Sequence, residues 1–202
     1  MTLQSVSVRQ AVSSHEEGRA FAQFMNQAAN GQFRLLFGPR YAEIAAHAYQ
    51  QPGHDLSYER TLFAAVDGCI VGMASGYTAN QHRQSENRLL LEAAGRSAAR
   101  ILLLFALASP VFRFLHACDD GDFYLQFLAV DTPYRGRGIG TALIAAMEER
   151  ARQSGSVRYT LDVSARNASA RRLYEHRGFT IASRWPRFGV LPPALFRMVK
   201  TL

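Results

Sequence analysis

The apolar positions of this chain alternate in some stretches and recur at helical spacing in others, and the changes of period set its elements. "VSVRQA" near the start alternates and reads as a first strand. Residues His15 to Ala29 follow as an amphipathic helix with Phe21, Phe24 and Met25 on one face. "RYAEIAAHAYQQ" predicts a second helix, stopped by Pro52 and Gly53. Strands are expected at about Thr61–Val66 and Cys69–Tyr77, because Asp67–Gly68 between them is a strong hairpin turn signal. Residues 79–120 break the β pattern. "ENRLLLEAAGRSAARILLLFALAS" within that span is apolar on more than one face, as expected of a helix buried on several sides.

After Gly121 the period changes again. "DFYLQFLAV" carries the continuous apolar run of a central strand. "TALIAAMEERARQ" is an amphipathic helix from Thr141 to Gln153, ended by Ser154–Gly155, and "VRYTLDVS" is the next strand. "NASARRLYEHRG" is a short helix with Asn167 placed to cap it and Gly178 to stop it. "FTIASRW" and "LFRMVK" close the chain as two strands. No internal repeat or low-complexity linker interrupts this order. The expectation is one α+β domain over 1–202, built on a mixed sheet, with 79–120 as a helical insertion between the third and fourth strands.

Composition narrows the function class. Hydrophobic residues make up 48% and charged residues 19% of the 202, ordinary values for a globular core. The formal charge of +7 invites a nucleic-acid reading, but the arginines are scattered singly and the longest basic run is Arg171–Arg172. A solvated basic surface explains that better, so no nucleic-acid partner is expected. "ILLLFALASPVF" is about twelve residues long and contains Pro110, where a membrane span needs about 20. No export signal is apparent, and a cytoplasmic protein without membrane attachment is expected. Cys69 and Cys118 have no metal-binding spacing, and the six histidines form no spaced pair, so no metal is expected. Both cysteines are expected as small core residues.

"AVDTPYRGRGIGTALI" carries the chemistry. It runs from an apolar strand through three glycines into a helix. The first turn of a helix leaves N–H groups unpaired at the positive end of its dipole, and so attracts anions. Gly136, Gly138 and Gly140 let the backbone curl and a phosphate approach; Arg135 and Arg137 add positive charge. A diphosphate is the natural guest. A Walker-type loop is excluded because its lysine is absent. A dinucleotide fold, with Asp162 as its ribose-binding acid, requires a turn directly out of the strand. Here the first glycine lies six residues after Val130, and only about 40 residues remain after Asp162 for further βα units.

The same stretch closely resembles the pyrophosphate-binding motif of the GNAT superfamily of N-acetyltransferases, [QR]-x-x-G-x-[GA], as Arg135, Gly138 and Gly140. "NASARRLYEHRGF" resembles the family's second signature, an Asn followed seven residues later by Tyr and then Gly-Phe. The resemblance is sharp over Phe123 to Phe179. It implies a three-layer αβα fold in which two parallel strands, here Phe123–Val130 and Val157–Ser164, splay apart to admit acetyl-CoA. A bulge on the first of them would free backbone groups of Leu128, Ala129 and Val130 for the pantetheine arm. The diphosphate would rest on residues 135–141: Arg135, Gly136, Arg137, Gly138, Ile139, Gly140 and Thr141. Asn167 would contact the cofactor, and Tyr174 would lie near the thioester sulfur.

The reaction so implied is direct attack of an amine on the thioester, with Tyr174 protonating the leaving thiolate. Seven residues separate Asn167 from Tyr174, two helical turns, which would put both on one face. The general base stays open among Glu43, Glu59 and Asp122, or is dispensable if the amine arrives neutral. By alternation Tyr124 and Gln126 should share a face with Leu128. Of the basic residues Arg166, Arg171 and Arg172, Arg171 or Arg172 would meet the 3′-phosphate, and Trp185 and Phe188 would line the acceptor pocket. The segment 79–120 would roof the acceptor or form a homodimer interface, and it leaves the amine acceptor unidentified. The alternative is a module of the same fold that binds acetyl-CoA without turnover.

Overall fold

The computed structural model describes residues 6–85, 114, 118–186 and 192–202. Its sheet is built from seven strands: β1 Val6–Gln10, β2 Thr61–Val66, β3 Cys69–Thr78, β4 Asp122–Val130, β5 Arg158–Ser164, β6 Thr180–Trp185 and β7 Leu195–Thr201. They lie in the order β1-β2-β3-β4-β5-β7-β6. The β4–β5 pair is parallel and the other neighbours are antiparallel. The described helices are α1 His15–Ala28, α2 Gln32–Phe37, α3 Tyr41–Tyr49, α4 Ala79–Arg83, α5 Ile139–Gln153 and α6 Ala168–His176. Short α2, whose Gly31 cap makes no side-chain hydrogen bond, has no counterpart in the sequence expectation. Its six residues complete too few turns to show a period.

Two apolar clusters separate the layers. On one face α5 and α6 pack against the sheet through Leu143, Ile144, Met147, Tyr159, Leu161 and Tyr174. On the other, α1 and α3 bury Phe21, Phe24, Met25 and Tyr49 against Phe63, Met73 and Ala129. The mixed sheet between helical layers agrees with the α+β, αβα expectation. Of the expected 79–120 helical insertion, α4 is described, capped by Thr78 with Gln81 returning the bond. Residues 86–113 lie outside the described residues.

The decisive irregularity is on β4. Ser75 opposes Phe127 and Gly76 opposes Leu125, so Gln126 is an extra residue with no place in the backbone register, though its Oε1 accepts from Ser75 Oγ at 3.3 Å. One extra residue reverses the side-chain parity. Phe123 and Leu125 point into the α5 face before it; after it, Leu128 and Val130 take that face while Phe127 and Ala129 turn to α1. Tyr124 and Leu128 therefore lie on opposite faces. The expected shared face fails because simple alternation does not survive a bulge.

The bulge depends on Gly76. A Cβ there would stand 2.6 Å from Phe123 Cε1 and 2.7 Å from the Tyr124 carbonyl oxygen, which as backbone has no room to give. Gly76→Ala is expected to cost about 1–3 kcal/mol of stability. It should be read as a lower urea midpoint at unchanged denaturant slope.

Candidate active site

Strands β4 and β5 pair only from Asp122 to Leu125 against Arg158 to Leu161. Beyond that point Phe127–Val130 keeps its bonds to β3, and Asp162–Ser164 pairs with β7. The two parallel strands therefore part above Leu125 and Leu161. The Asp131 amide donates to the Val71 carbonyl at 2.9 Å, which fixes the phase of the β3–β4 ladder. By alternation Ala129 spends its peptide groups on β3, whereas Leu128 and Val130 turn theirs into the gap. Of the three backbone positions expected there, two face the opening, and the bulge that sets them sits at Gln126. The Val130 carbonyl accepts from Gln27 Nε2 and from Arg135 Nε, each at 2.9 Å.

Next to the gap, a 3-10 turn at Thr132–Tyr134 carries the chain into the glycine loop. Gly136 and Gly138 adopt φ of +74° and +81°, a region L side chains rarely enter. A Cβ on either would meet no atom within 4 Å, so the backbone angle and not crowding selects glycine there. Gly138 caps α5, which starts two residues before the expected Thr141. The cap has no side chain to offer, and the first turn holds no acidic residue. The first bond of the helix runs from the Ala142 amide to the Gly138 carbonyl at 2.9 Å. The amides of Ile139, Gly140 and Thr141 thus open the helix without an intrahelical partner. Arg137 lays its guanidinium over the Tyr134 ring at 5.4 Å.

The short helix α6 presents its two signature residues differently. Asn167 is its cap: Oδ1 accepts from the Ala170 amide at 3.1 Å and from Ser169 Oγ at 3.0 Å. Its φ and ψ of −89° and 71° are not helical, so the two-turn spacing does not put it on a helical face with Tyr174. Asn167 is exposed, and Tyr174 is buried in the cluster that also holds Leu128, Val130, Leu161 and Val163. The Tyr174 ring meets Phe179 at 5.8 Å, and its hydroxyl has no hydrogen-bond partner among the described residues. Burial raises its phenol far above the ordinary value, so the group stays protonated throughout the neutral range. Arg171 stacks on Phe196 at 5.2 Å, while Arg172 is exposed.

The candidate bases lie elsewhere. Glu43 is on α3, ion-paired with Arg40 at 3.2 Å. Glu59 accepts from the Gly53 amide at 3.0 Å. Asp122 opens β4 at the paired end, locked to Arg158 at 2.5 Å. Cys69 is exposed beside the β2–β3 turn and so is not a core residue, and Cys118 is half-buried with its thiol pushed up to about 12 by burial. Trp185 ends β6, and Phe188 lies outside the described residues. Among the described residues no three His, Cys, Asp or Glu groups gather as a metal site would require. No described helix is long and apolar enough to cross a membrane.

Residue motifs had not singled out one further group, at the point where the strands part. The Tyr124 hydroxyl donates to Asp162 Oδ2 at 2.9 Å, and Arg197 grips both Asp162 oxygens, Nε to Oδ1 at 3.0 Å and Nη2 to Oδ2 at 2.7 Å. Separations of 38 and 35 residues gave no local signal for it.

The chain is similar in sequence and in fold to known proteins. The sequence profile of the acetyltransferase (GNAT) family matches residues 24–179. The chain belongs to this family. A stretch of 47 residues is 45% identical to the uncharacterized N-acetyltransferase YycN of Bacillus subtilis, spanning 23% of this chain and 30% of that protein. The crystal structure of an acetyltransferase superposes with a TM-score of 0.68 at 23% identity, over 96% of this chain and 98% of the other. The PaiA N-acetyltransferase of Thermoplasma acidophilum, solved in complex with coenzyme A, superposes at 0.54 with 13% identity, over 98% and 99%. At such identities the GNAT likeness speaks for the fold.

Proposed function

We propose that the chain is a single-domain acetyltransferase that moves an acetyl group from acetyl-CoA to a primary amine of a small molecule or peptide. The observation that carries this reading is the parting of β4 from β5 beside the bare N-terminus of α5. The donor fits these residues. Gly136 and Gly138 leave open space where any side chain would stand, and a first turn without acids leaves the amides of Ile139, Gly140 and Thr141 to an anion. Arg135 and Arg137 flank the same loop, and the gap-facing peptide groups of Leu128 and Val130 offer a strand edge to an amide-bearing arm. Asn167 keeps its Nδ2 hydrogens for the donor while Oδ1 holds the helix cap.

The chemistry needs two things from the protein. A developing oxyanion on the thioester carbonyl requires an N–H donor, and the unpaired amides of β4 supply one without reorganisation. The departing thiolate requires a proton, and Tyr174, kept neutral by burial on the α5–α6 face, is the donor. The amine attacks directly, with no covalent intermediate on the chain.

Following free thiol with acetyl-CoA and a panel of amines tests the reading; coenzyme A binding without thiol release from any amine would replace it with a binding module. Tyr174→Phe should lower turnover by about tenfold or more while leaving coenzyme A affinity nearly unchanged. An unchanged turnover in a chemistry-limited reaction removes Tyr174 from the mechanism. Gly138→Val should abolish coenzyme A binding, since a branched side chain at φ +81° both strains the cap and fills the phosphate space. Calorimetric titration would show this directly, and undiminished affinity would dismiss the loop from the site.

A further inference from the structure

The group at the fork of the strands lies on the face of the sheet away from Tyr174. On β5, Tyr159, Leu161 and Val163 belong to the α5–α6 cluster, so Asp162 points the other way. Tyr124 precedes, and Asp162 follows, the last paired positions Leu125 and Leu161. Arg197 stands directly across from Asp162 on β7, its guanidinium 5.9 Å from the Tyr124 ring and 4.9 Å from the Phe114 ring. The Arg197 and Asp162 side chains are only 14% and 2% exposed. Burying such a pair costs desolvation that its mutual attraction barely offsets, so stability alone does not account for it.

We infer that Tyr124 and Asp162 form the proton relay for the incoming amine, with Arg197 as the positioning residue that fixes the carboxylate. The inference rests on the acetyl-transfer reading. With its O–H given to Asp162, the Tyr124 oxygen keeps lone pairs for an ammonium N–H, and the anionic partner strengthens that acceptor. One ammonium proton passes to the Tyr124 oxygen as the Tyr124 proton passes to Asp162 Oδ2. The freed nitrogen lone pair forms the C–N bond, the C–S bond breaks, and the sulfur takes the Tyr174 proton. The second nitrogen proton, acidified by acylation, restores Tyr174 through solvent, and Asp162 releases the first. The products are amide, thiol and one proton.

Burial pushes the Asp162 carboxyl up from its ordinary value although Arg197 and Tyr124 pull it down, which suits a group that must accept a proton. Among the described residues, the charged and titratable groups around the relay are Arg197 from β7, Tyr77 from β3 with its ring 5.5 Å from that of Tyr124, and Cys118 ahead of β4. Behind Tyr77, His82 stacks at 4.9 Å and meets Asp55 Oδ2 at 2.6 Å.

The test uses the full chain with Tyr124→Phe and Asp162→Asn. It follows thiol release against amine concentration at saturating acetyl-CoA from about pH 6.5 to about pH 9.5, toward the range in which aliphatic amines lose their charge. Both variants should lose about tenfold or more in kcat/KM for the amine near neutrality, with coenzyme A affinity within about twofold. The loss should shrink steadily as pH rises, because a neutral amine needs no relay. A loss of equal size at every pH, or no loss, overturns the relay while thiol release by the unaltered protein keeps the acetyl-transfer reading standing. Absence of release from the unaltered protein with every amine removes both. Should Asp162→Asn fail to fold, Tyr124→Phe, which deletes one hydroxyl, decides alone.

Discussion

A sheet cannot leave strand edges unpaired in its middle without cost, because each buried peptide group that lacks a partner forfeits a hydrogen bond. The parting of β4 from β5 leaves such edges, and the rest of the site is arranged around them. The four-residue pairing from Asp122 to Leu125 holds the two strands at one end. At the other end each strand is secured by its outer neighbour, β3 or β7, so the opening needs no support of its own. Part of the exposed edge is satisfied from within. Gln27 reaches from α1 and Arg135 folds back from the loop, and both meet the Val130 carbonyl. The remaining gap-facing groups on Leu128 and Val130 are left open by the fold.

Charge follows the same logic. Helix α5 starts with a glycine that offers no side-chain cap and with no carboxylate in its first turn, an omission that leaves the positive end of its dipole uncompensated beside the gap. Farther along, the same helix does carry a buried carboxylate: Glu148 is held at 2.8 Å by Arg152 one turn on and at 2.8 Å by Lys200, which ties it to β7. Its carboxyl lies below the ordinary value because those cations outweigh its burial. The helix is thus fastened at its far half and left electrostatically open at the end that meets the loop.

The parts of this arrangement that are local were legible in the sequence. The glycine loop, the Asn167 cap, the helix of Tyr174 and the strands Thr61–Val66 and Asp122–Val130 all follow from period, turn chemistry and capping within a few residues. Three things were not. Nothing in "DFYLQFLAV" marks Gln126 as the extra residue, because the bulge forms opposite Ser75 and Gly76, and Ser75 lies 51 residues earlier. Short α2 has too few turns to show a period. Asp162 and Arg197 read separately as a strand-end acid and a strand cation, and only the β5–β7 register sets them side by side. Local rules describe the glycine loop; long-range pairing decides what stands at the fork.

The bulge also explains why one strand can serve two faces of the site. Were Gln126 paired regularly instead of bulged, Tyr124 and Leu128 would share a face, and the apolar positions after the fork would be exchanged between the α5 and α1 clusters. With it, Leu128 and Val130 close the core beneath α5, next to Tyr174, while Tyr124 turns to the opposite side and to Asp162. A bond broken in the gap would then have a phenol on either side, each kept protonated by burial but in different company. Tyr174 sits among apolar side chains and has a proton to give; Tyr124 has committed its proton to a carboxylate and presents an oxygen. One inserted residue, opposite a glycine on the neighbouring strand, is what puts Leu128 and Val130 beside Tyr174 while Tyr124 stands on the other side of the same sheet.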